Sequence, residues 1–147
     1  MNKFFRYSFI VCLSMLALAL NSCKEDDEPS NDGDSINSEV VGTWYVDKST
    51  YQYYTTIEEM KDFYDRTEVE PGDGAYWEFT SSKVTVHDPN DLANNKAVAY
   101  KYNKSKKELS IAGLTYQVKK LTSSKMTLYA EFEESNFGER ITIEFSK

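Results

Sequence analysis

Val40-Val-Gly-Thr-Trp-Tyr-Val-Asp47 is the stretch that decides the fold class of this chain. Its side chains alternate between two faces, and one face carries Val40, Gly42, Trp44 and Val46. Alternation with a period of two, in a segment rich in β-branched and aromatic residues, is typical of a β-strand. We therefore predict a first strand here. A glycine two residues before a large ring lets another backbone segment come close beside that ring.

Seven further segments downstream have the same character. Each is five to nine residues long, and most of the connections between them are short and polar. The segments are 75–81, 83–87, 96–103, 108–112, 114–121, 125–133 and 139–146. Eight short strands, several of them with one apolar face, predict an all-β fold. The expected architecture is an antiparallel up-and-down barrel, which closes without exposed edges.

The Gly42-Thr43-Trp44 pattern in the first strand resembles the lipocalin family and the smaller lipocalin-like domains of bacterial lipoproteins. The resemblance covers residues 39–147 and implies a small barrel with Gly42 and Trp44 as its structural signature. One departure concerns the base of the barrel. Lipocalins place an arginine near the last strand to pack on the tryptophan, whereas Arg140 alternates out of phase with the apolar face of its strand.

Residues 48–74 form one long connection between the first two predicted strands. Thr56-Ile-Glu-Glu59 fits a capping box, and an apolar stripe of helical spacing follows. The stripe consists of Ile57, Met60, Phe63 and Tyr64. We predict a short amphipathic helix at about 56–66. The lipocalin order implies that this helix is a lid over the open mouth of a cavity; the alternative is a helix that fills a small barrel and completes its core.

Tyrosine is concentrated in the first third of the predicted domain, partly outside the predicted strands. Rings with a polar edge suit contact surfaces, because they bury much area at low entropic cost. Tyrosine also favours strands by propensity alone, so many of these rings are expected to serve packing. The candidate contacts with a ligand or partner are Tyr51, Tyr53, Tyr54, Met60, Phe63, Tyr64 and Trp77.

The start of the chain has the features of an export signal. Lys3 and Arg6 precede an uncharged apolar run, 9–20, which is shorter than the roughly 20 residues of a bilayer-spanning helix. Leu20-Asn21-Ser22-Cys23 resembles the lipobox of bacterial lipoproteins, in which a diacylglycerol is attached to the cysteine and the signal is removed just before it. The alternative is an ordinary cleavage site that a cysteine happens to follow.

Three segments follow from that interpretation: a lipoprotein signal peptide at 1–22, a lipid-anchored acidic linker at 23–38 and the barrel domain at 39–147. Cys12 leaves with the signal, so Cys23 is expected to be the sole remaining thiol, unable to form an intramolecular disulfide. More than one acyl chain, palmitate included, anchors a protein firmly. The resemblance implies an outer-membrane lipoprotein of a Gram-negative bacterium.

An acidic run, Lys24-Glu25-Asp26-Asp27-Glu28, directly follows the proposed lipidation site. It resembles a signal for transport to the outer face of the outer membrane, and the alternative is a solvated spacer. Without residues 1–22 the chain carries 15 basic and 24 acidic side chains. Such a net negative charge argues against nucleic acid and anionic lipid headgroups as partners, because both need a basic surface.

Chemistry-bearing motifs are few. His87 is the sole histidine, and Cys23 is assigned to the lipid, so no zinc site of familiar spacing is expected. The sequence has no phosphate-binding glycine loop and no nucleophile-elbow motif. We therefore expect neither an enzyme nor a cofactor or metal site.

Two function classes compete on these observations. The first is a lipocalin-like lipoprotein that holds a small apolar or amphipathic ligand under the 56–66 helix. The alternative is a filled barrel that docks on another envelope protein or on a glycan through its tyrosine-rich first connection.

Overall fold

The computed structural model describes residues 39–90 and 95–147, so the predictions for the lipobox and the acidic linker lie outside the described residues. The described residues form nine β-strands and a short helical segment. The strands are β1 (Gly42–Thr55), β2 (Arg66–Pro71), β3 (Tyr76–Phe79), β4 (Lys83–His87), β5 (Ala97–Asn103), β6 (Glu108–Ile111), β7 (Leu114–Leu121), β8 (Lys125–Glu134) and β9 (Phe137–Ser146). A 3₁₀ turn, Glu58–Met60, leads into α1 (Lys61–Tyr64).

Eight of these strands close into a barrel. β1 and the strands β3 to β9 pair antiparallel in sequential order, and β9 pairs back with β1. The predicted all-β fold, an eight-stranded antiparallel barrel, is confirmed, and each predicted segment overlaps one strand of the barrel. Closure leaves no free edge in the ring, which is why such short strands form a stable sheet.

β1 is much longer than the first predicted strand. Its start pairs with β3, residues 48–53 pair with β2, and its other edge pairs with β9 from Tyr45 to Thr55. The register shifts between Val46 and Lys48. Most of the connection predicted at 48–74 is therefore strand, and residues 56–65 alone link β1 to β2. The second half of β1 was not predicted because the register shift after Val46 interrupts the alternation of apolar and polar residues, and mostly polar residues follow.

The barrel has two distinct ends. At one of them, here called the helix end, lie residues 56–65 and the tight turns 112–113 and 135–136. The other, here called the Trp44 end, carries the turns 104–107 and 122–124 together with the start of β1. Within the described residues, no helix has the length and hydropathy needed to cross a lipid bilayer.

Aromatic side chains fill much of the barrel interior. The Trp77 ring centroid lies 5.1 Å from that of Phe145 and 6.2 Å from those of Phe79 and Tyr116. Separations of this size are direct ring-to-ring packing. Phe145 of this group is fully buried, and so is Trp44, which belongs to the same hydrophobic core. The cluster therefore occupies the space that a ligand would need in this part of the barrel.

Trp44 is held at the base of the barrel by polar contacts. Its Nε1 donates a hydrogen bond of 2.7 Å to the Val40 carbonyl, and Lys147 Nζ lies 4.3 Å from the ring centroid. Lys147 Nζ also donates to the Val41 carbonyl at 3.1 Å. The cation over the tryptophan is thus a lysine that follows the last strand. Arg140 lies elsewhere, 4.4 Å from the centroid of Tyr54.

Gly42 makes room for that lysine. Its φ of +126° is a conformation that residues with a side chain rarely adopt, and a Cβ at this position would lie 3.1 Å from Lys147 Nζ. A close approach beside Trp44 was predicted for a backbone segment. The structure shows the approach of a side chain instead, because Lys147, directly after β9, reaches across the Trp44 ring.

Candidate functional site

The connection between β1 and β2 presents two of its apolar side chains to solvent. Phe63 is 87% exposed and Met60 is 39% exposed. No residue of the 3₁₀ turn or of α1 is buried. The helix predicted at about 56–66 spans only residues 58–64, and the hypothesis that it fills the barrel is wrong. Two residues of the predicted stripe, Met60 and Phe63, are exposed, while Ile57 and Tyr64 are half-buried.

The predicted capping box does not form either. Thr56 Oγ1 donates to Asn136 Oδ1 at 3.0 Å, and the Thr56 N–H donates to the Asn136 carbonyl at 2.9 Å. The helical segment has no side-chain cap at its start. Asp65 Oδ1 accepts from the Thr55 N–H at 2.8 Å at the other end of the connection. Residues 56–65 are therefore fixed at both ends while their centre projects outward.

Tyr64 joins this connection to β9. Its ring packs on Phe137 with a centroid separation of 4.8 Å. The Arg66 guanidinium lies 5.9 Å from the Tyr64 centroid and 4.1 Å from that of Tyr53. The predicted contacts Met60, Phe63 and Tyr64 are thus together at the helix end. Phe137 and Arg66 lie in the same region. From the sequence, Phe137 was expected in a turn and Arg66 at the end of the predicted helix.

Tyr53 lies in the barrel interior at the helix end. It is 8% exposed and stands opposite Glu139 of β9 and Arg66 of β2. Its phenol is hydrogen-bonded to the Glu139 carboxyl. Burial raises the pKa of both groups. Arg66 Nε donates to Glu68 Oε1 at 2.8 Å in a solvent-exposed pair, so charged side chains border the interior at this end.

Tyr51 is half-buried and packs against the hydrophobic core. It shares the inward face with Tyr53, because the two residues are two positions apart on one strand. Trp77, another predicted contact, is 8% exposed inside the aromatic cluster. These three rings therefore serve packing, and a partner that stays outside the barrel does not reach them.

Tyr54 points to the outer face of the sheet. Its hydroxyl donates to Glu131 Oε1 at 3.0 Å, and Arg140 Nε donates to the same oxygen at 2.8 Å. Tyr129 donates to Glu131 Oε2 at 2.8 Å. The bonds from Arg140, Tyr129 and Tyr54 lower the pKa of Glu131 to about 2. Tyr54 thus belongs to an outer hydrogen-bond network and not to the group formed by Tyr51 and Tyr53.

His87 is a packing residue at the end of β4. Its ring stacks on Tyr76 with a centroid separation of 4.2 Å, and Nε2 lies 3.4 Å from Glu78 Oε2. Among the residues that the structure describes, no group of three or more His, Cys, Asp or Glu side chains is placed to hold a metal ion.

Comparison of the chain with protein-family models, with curated proteins and with solved structures finds no match. The functional assignment therefore depends on the side chains described above.

Proposed function

We propose that this protein is a non-catalytic, lipid-anchored lipoprotein of the outer membrane whose lipocalin-like barrel is an interaction module. In this proposal the barrel docks on another envelope protein with its helix end. The observation that carries the proposal is the exposure of Phe63 and Met60 on a connection that is fixed at both ends.

Exposed rings on a fixed segment favour a partner-binding role. A large apolar side chain that protrudes from a folded domain gains free energy when a partner covers it. Fixing the segment beforehand lowers the entropic cost of binding. The hydrogen bonds of Thr56 and Asp65 supply that fixation here.

The surroundings of the two side chains indicate the chemistry of the partner. Glu58, Glu59 and Asp62 are exposed on the same short segment as Met60 and Phe63, and among the described residues Lys61 pairs with Glu58 alone, so the segment keeps a net negative charge. An apolar centre with an acidic border is complementary to an apolar pocket with a basic border. Because the basic side chains that would complement this acidic border belong to proteins and are absent from a neutral glycan, the composition favours a protein partner.

The lipid anchor is supported by sequence features alone, namely the lipobox-like Leu20-Asn21-Ser22-Cys23 and the acidic run after it. Attachment of a diacylglycerol to Cys23 would hold the domain at the membrane without a spanning helix. The acidic run supports placement at the cell surface.

Site-specific crosslinking tests the docking surface. A photoreactive phenylalanine derivative at position 63 is expected to yield a discrete adduct with one envelope protein in whole cells. The same derivative at position 45 is the matched control, because Tyr45 is also exposed, at 52%, but lies at the start of β1. No adduct at position 63, or the same adduct at both positions, would contradict the proposal.

A variant pair separates docking from folding. Changing Met60 and Phe63 to serine should abolish the adduct formed from a photoreactive residue at exposed position 59. Substitution of exposed side chains changes the free energy of unfolding by less than about 0.5 kcal/mol, so the melting temperature should stay nearly constant. An adduct that persists in the double variant would contradict the role of these two side chains.

A small amphipathic ligand is the second candidate, and the polar interior at the helix end favours it. Tyr53, Glu139 and Arg66 would bind the polar group of such a ligand, whose apolar part would lie toward the mouth. Native mass spectrometry of the purified protein should then show a bound mass that Tyr53→Phe and Glu139→Gln reduce. A ligand-free spectrum for the freshly isolated protein would exclude this candidate.

A further inference from the structure

The charges of this chain are segregated along the sequence. Residues 96–125 carry eight lysines and one glutamate, with no arginine or aspartate, although the whole chain has a net charge of −7. These residues include β5, β6 and β7, which are neighbours in the barrel. The average charge therefore conceals a basic region on one side of an acidic protein.

A cleft of about 230 Å³ lies within this region. We call it the lysine cleft, because Lys104, Lys107, Lys119 and Lys120 line it together with Tyr102 and Glu39. The Val118 N–H donates to the Lys107 carbonyl at 2.8 Å, which holds the β5–β6 turn against β7. The four lysines thus extend from backbone segments that are fixed relative to each other.

One carboxylate already lies in the lysine cleft. Lys104 Nζ is hydrogen-bonded to Glu39 Oε1, and this bond raises the pKa of Lys104. Among the described residues, no ion pair joins Lys107, Lys119 or Lys120 to an acidic side chain, and Lys119 Nζ lies 4.8 Å from the ring centroid of Tyr129. Four lysines and one glutamate line the cleft, so its lining carries a net positive charge.

We propose that the lysine cleft is a binding site for a phosphate-bearing anion. Glu39 compensates only one of the four ammonium charges, so an anion of two or three charges matches the cleft better than a second carboxylate. Lysine is an established point-charge partner of phosphate. The Tyr102 hydroxyl at the cleft adds a neutral donor.

Two sources could supply this chemistry: a phosphorylated lipid headgroup or a free phosphate compound. The headgroup source rests on the proposed function, because the anchored Cys23 precedes Glu39 in the chain and Glu39 lines the cleft. The expectation from net charge, that anionic headgroups are not partners, concerned the molecule as an average. The segregation of charge creates a local site that this average does not represent.

The first experiment titrates the full chain, in neutral detergent, with inorganic pyrophosphate and follows binding by isothermal calorimetry. We expect saturable binding of pyrophosphate and at least tenfold weaker binding of acetate, which carries a single charge. The double variant Lys107→Gln/Lys120→Gln should weaken pyrophosphate binding by about tenfold, since two charge-assisted contacts are lost.

The matched control is Lys96→Gln/Lys101→Gln. It removes the same charge from the same basic segment, at two exposed lysines that do not line the cleft. Its pyrophosphate affinity should stay within about twofold of the unmodified protein, because distant exposed charges are screened. The proposal would be overturned if the two double variants lost pyrophosphate affinity equally. It would also be overturned if the protein bound no pyrophosphate and, in the vesicle experiment below, showed no excess binding to phosphatidylglycerol. Thermal unfolding of each variant without ligand shows whether it is folded.

The second arm distinguishes the sources. Sedimentation of the full chain with phosphatidylglycerol vesicles is compared with sedimentation with phosphatidylcholine vesicles. Excess binding to phosphatidylglycerol that Lys107→Gln/Lys120→Gln removes identifies the headgroup source, and pyrophosphate binding without that excess identifies a free phosphate compound. Neither measurement involves Phe63 or lipidation of Cys23, so failure here is distinguishable from failure of the docking proposal.

Discussion

Individual residues decide how the Trp44 end of the barrel is closed. Trp44 is fully buried, yet its indole N–H is satisfied by the Val40 carbonyl and its face is covered by Lys147. A buried ring with a satisfied donor and a cation on its face is stabilising, and it leaves no polar atom unpaired. Glycine is favoured at position 42 by its φ of +126°, and a Cβ there would also crowd the end of the Lys147 side chain, at 3.1 Å from Nζ.

Gly42→Ala should destabilise the protein by about 1–3 kcal/mol, because it strains a backbone with positive φ and displaces Lys147. The measurement is the midpoint of urea unfolding. Gly74→Ala is the control, since Gly74 also has positive φ but its Cβ would make only ordinary contact, 3.6 Å from Pro89. If Gly74→Ala lowered the stability as much as Gly42→Ala, the role of the lysine contact would be contradicted.

Glu139 and Glu131 should affect the pH dependence of stability with opposite signs. Burial raises the pKa of Glu139 above its ordinary value of 4.5, so the folded state binds its proton more tightly than the unfolded state does. Stability contributed by this group is present below pH 4.5 and is lost as pH rises through the folded pKa. The unfolding midpoint of the unmodified protein, relative to Glu139→Gln, should therefore fall as pH rises from 4 toward neutrality.

Glu131 provides the opposite case on the outer face. Arg140 and two tyrosines lower its pKa from 4.5 to about 2. The stability that it contributes is present above pH 4.5 and is lost as pH falls toward 2. Glu131→Gln should therefore be less stable than the unmodified protein at pH 7, and the difference should vanish near pH 2. Parallel pH profiles for the two variants would contradict the assigned environments.

At the scale of elements, β1 organises the helix end. It extends well beyond its short pairing with β3 and pairs with β2 along the same edge. The alternation of its first half predicted a strand correctly. The second half was missed because tyrosines, threonines and a glutamine carry no apolar pattern, although Tyr53 and Thr55 are buried once β9 pairs beside them.

Asp65 should control the order of the connection between β1 and β2. Its carboxylate accepts the Thr55 N–H at 2.8 Å, and Thr55 is 3% exposed. Asp65→Ala leaves this donor unpaired and should cost about 1–3 kcal/mol. Hydrogen exchange at Thr55 and through residues 56–65 should accelerate. Asp65→Asn retains an acceptor oxygen and should behave nearly like the unmodified protein; equally fast exchange in both variants would contradict this assignment.

For the whole molecule, the proposed anchor at Cys23 is expected to be independent of the fold of the barrel. Cys23→Ser should eliminate incorporation of radiolabelled palmitate in a Gram-negative host that processes lipoproteins, because the proposal places the diacylglycerol on that thiol. Cys12→Ser is the matched control and should retain the label, since Cys12 lies within the signal. The domain at 39–147 contains neither cysteine, so the unfolding midpoint is expected to be the same in both variants. Label retained in Cys23→Ser would contradict the lipobox assignment.

The distribution of function over the molecule follows from packing. Aromatic rings occupy much of the barrel interior, so the two main proposals place binding at the surface: at Met60 and Phe63 of the helix end and in the lysine cleft. Acidic side chains border the first surface and lysines line the second. The two surfaces therefore suit partners of opposite charge.

Local alternation of apolar and polar residues determined the strand content of this protein, because a strand with one buried face must repeat with period two wherever it occurs. The sequential barrel followed from eight such strands with mostly short connections. Only tertiary structure decided which tyrosines are buried, why the helix leaves Phe63 exposed and which cation covers Trp44. Those outcomes depend on residues far apart in the chain, such as Tyr53 with Glu139 and Gly42 with Lys147, whose proximity arises only when β9 pairs with β1.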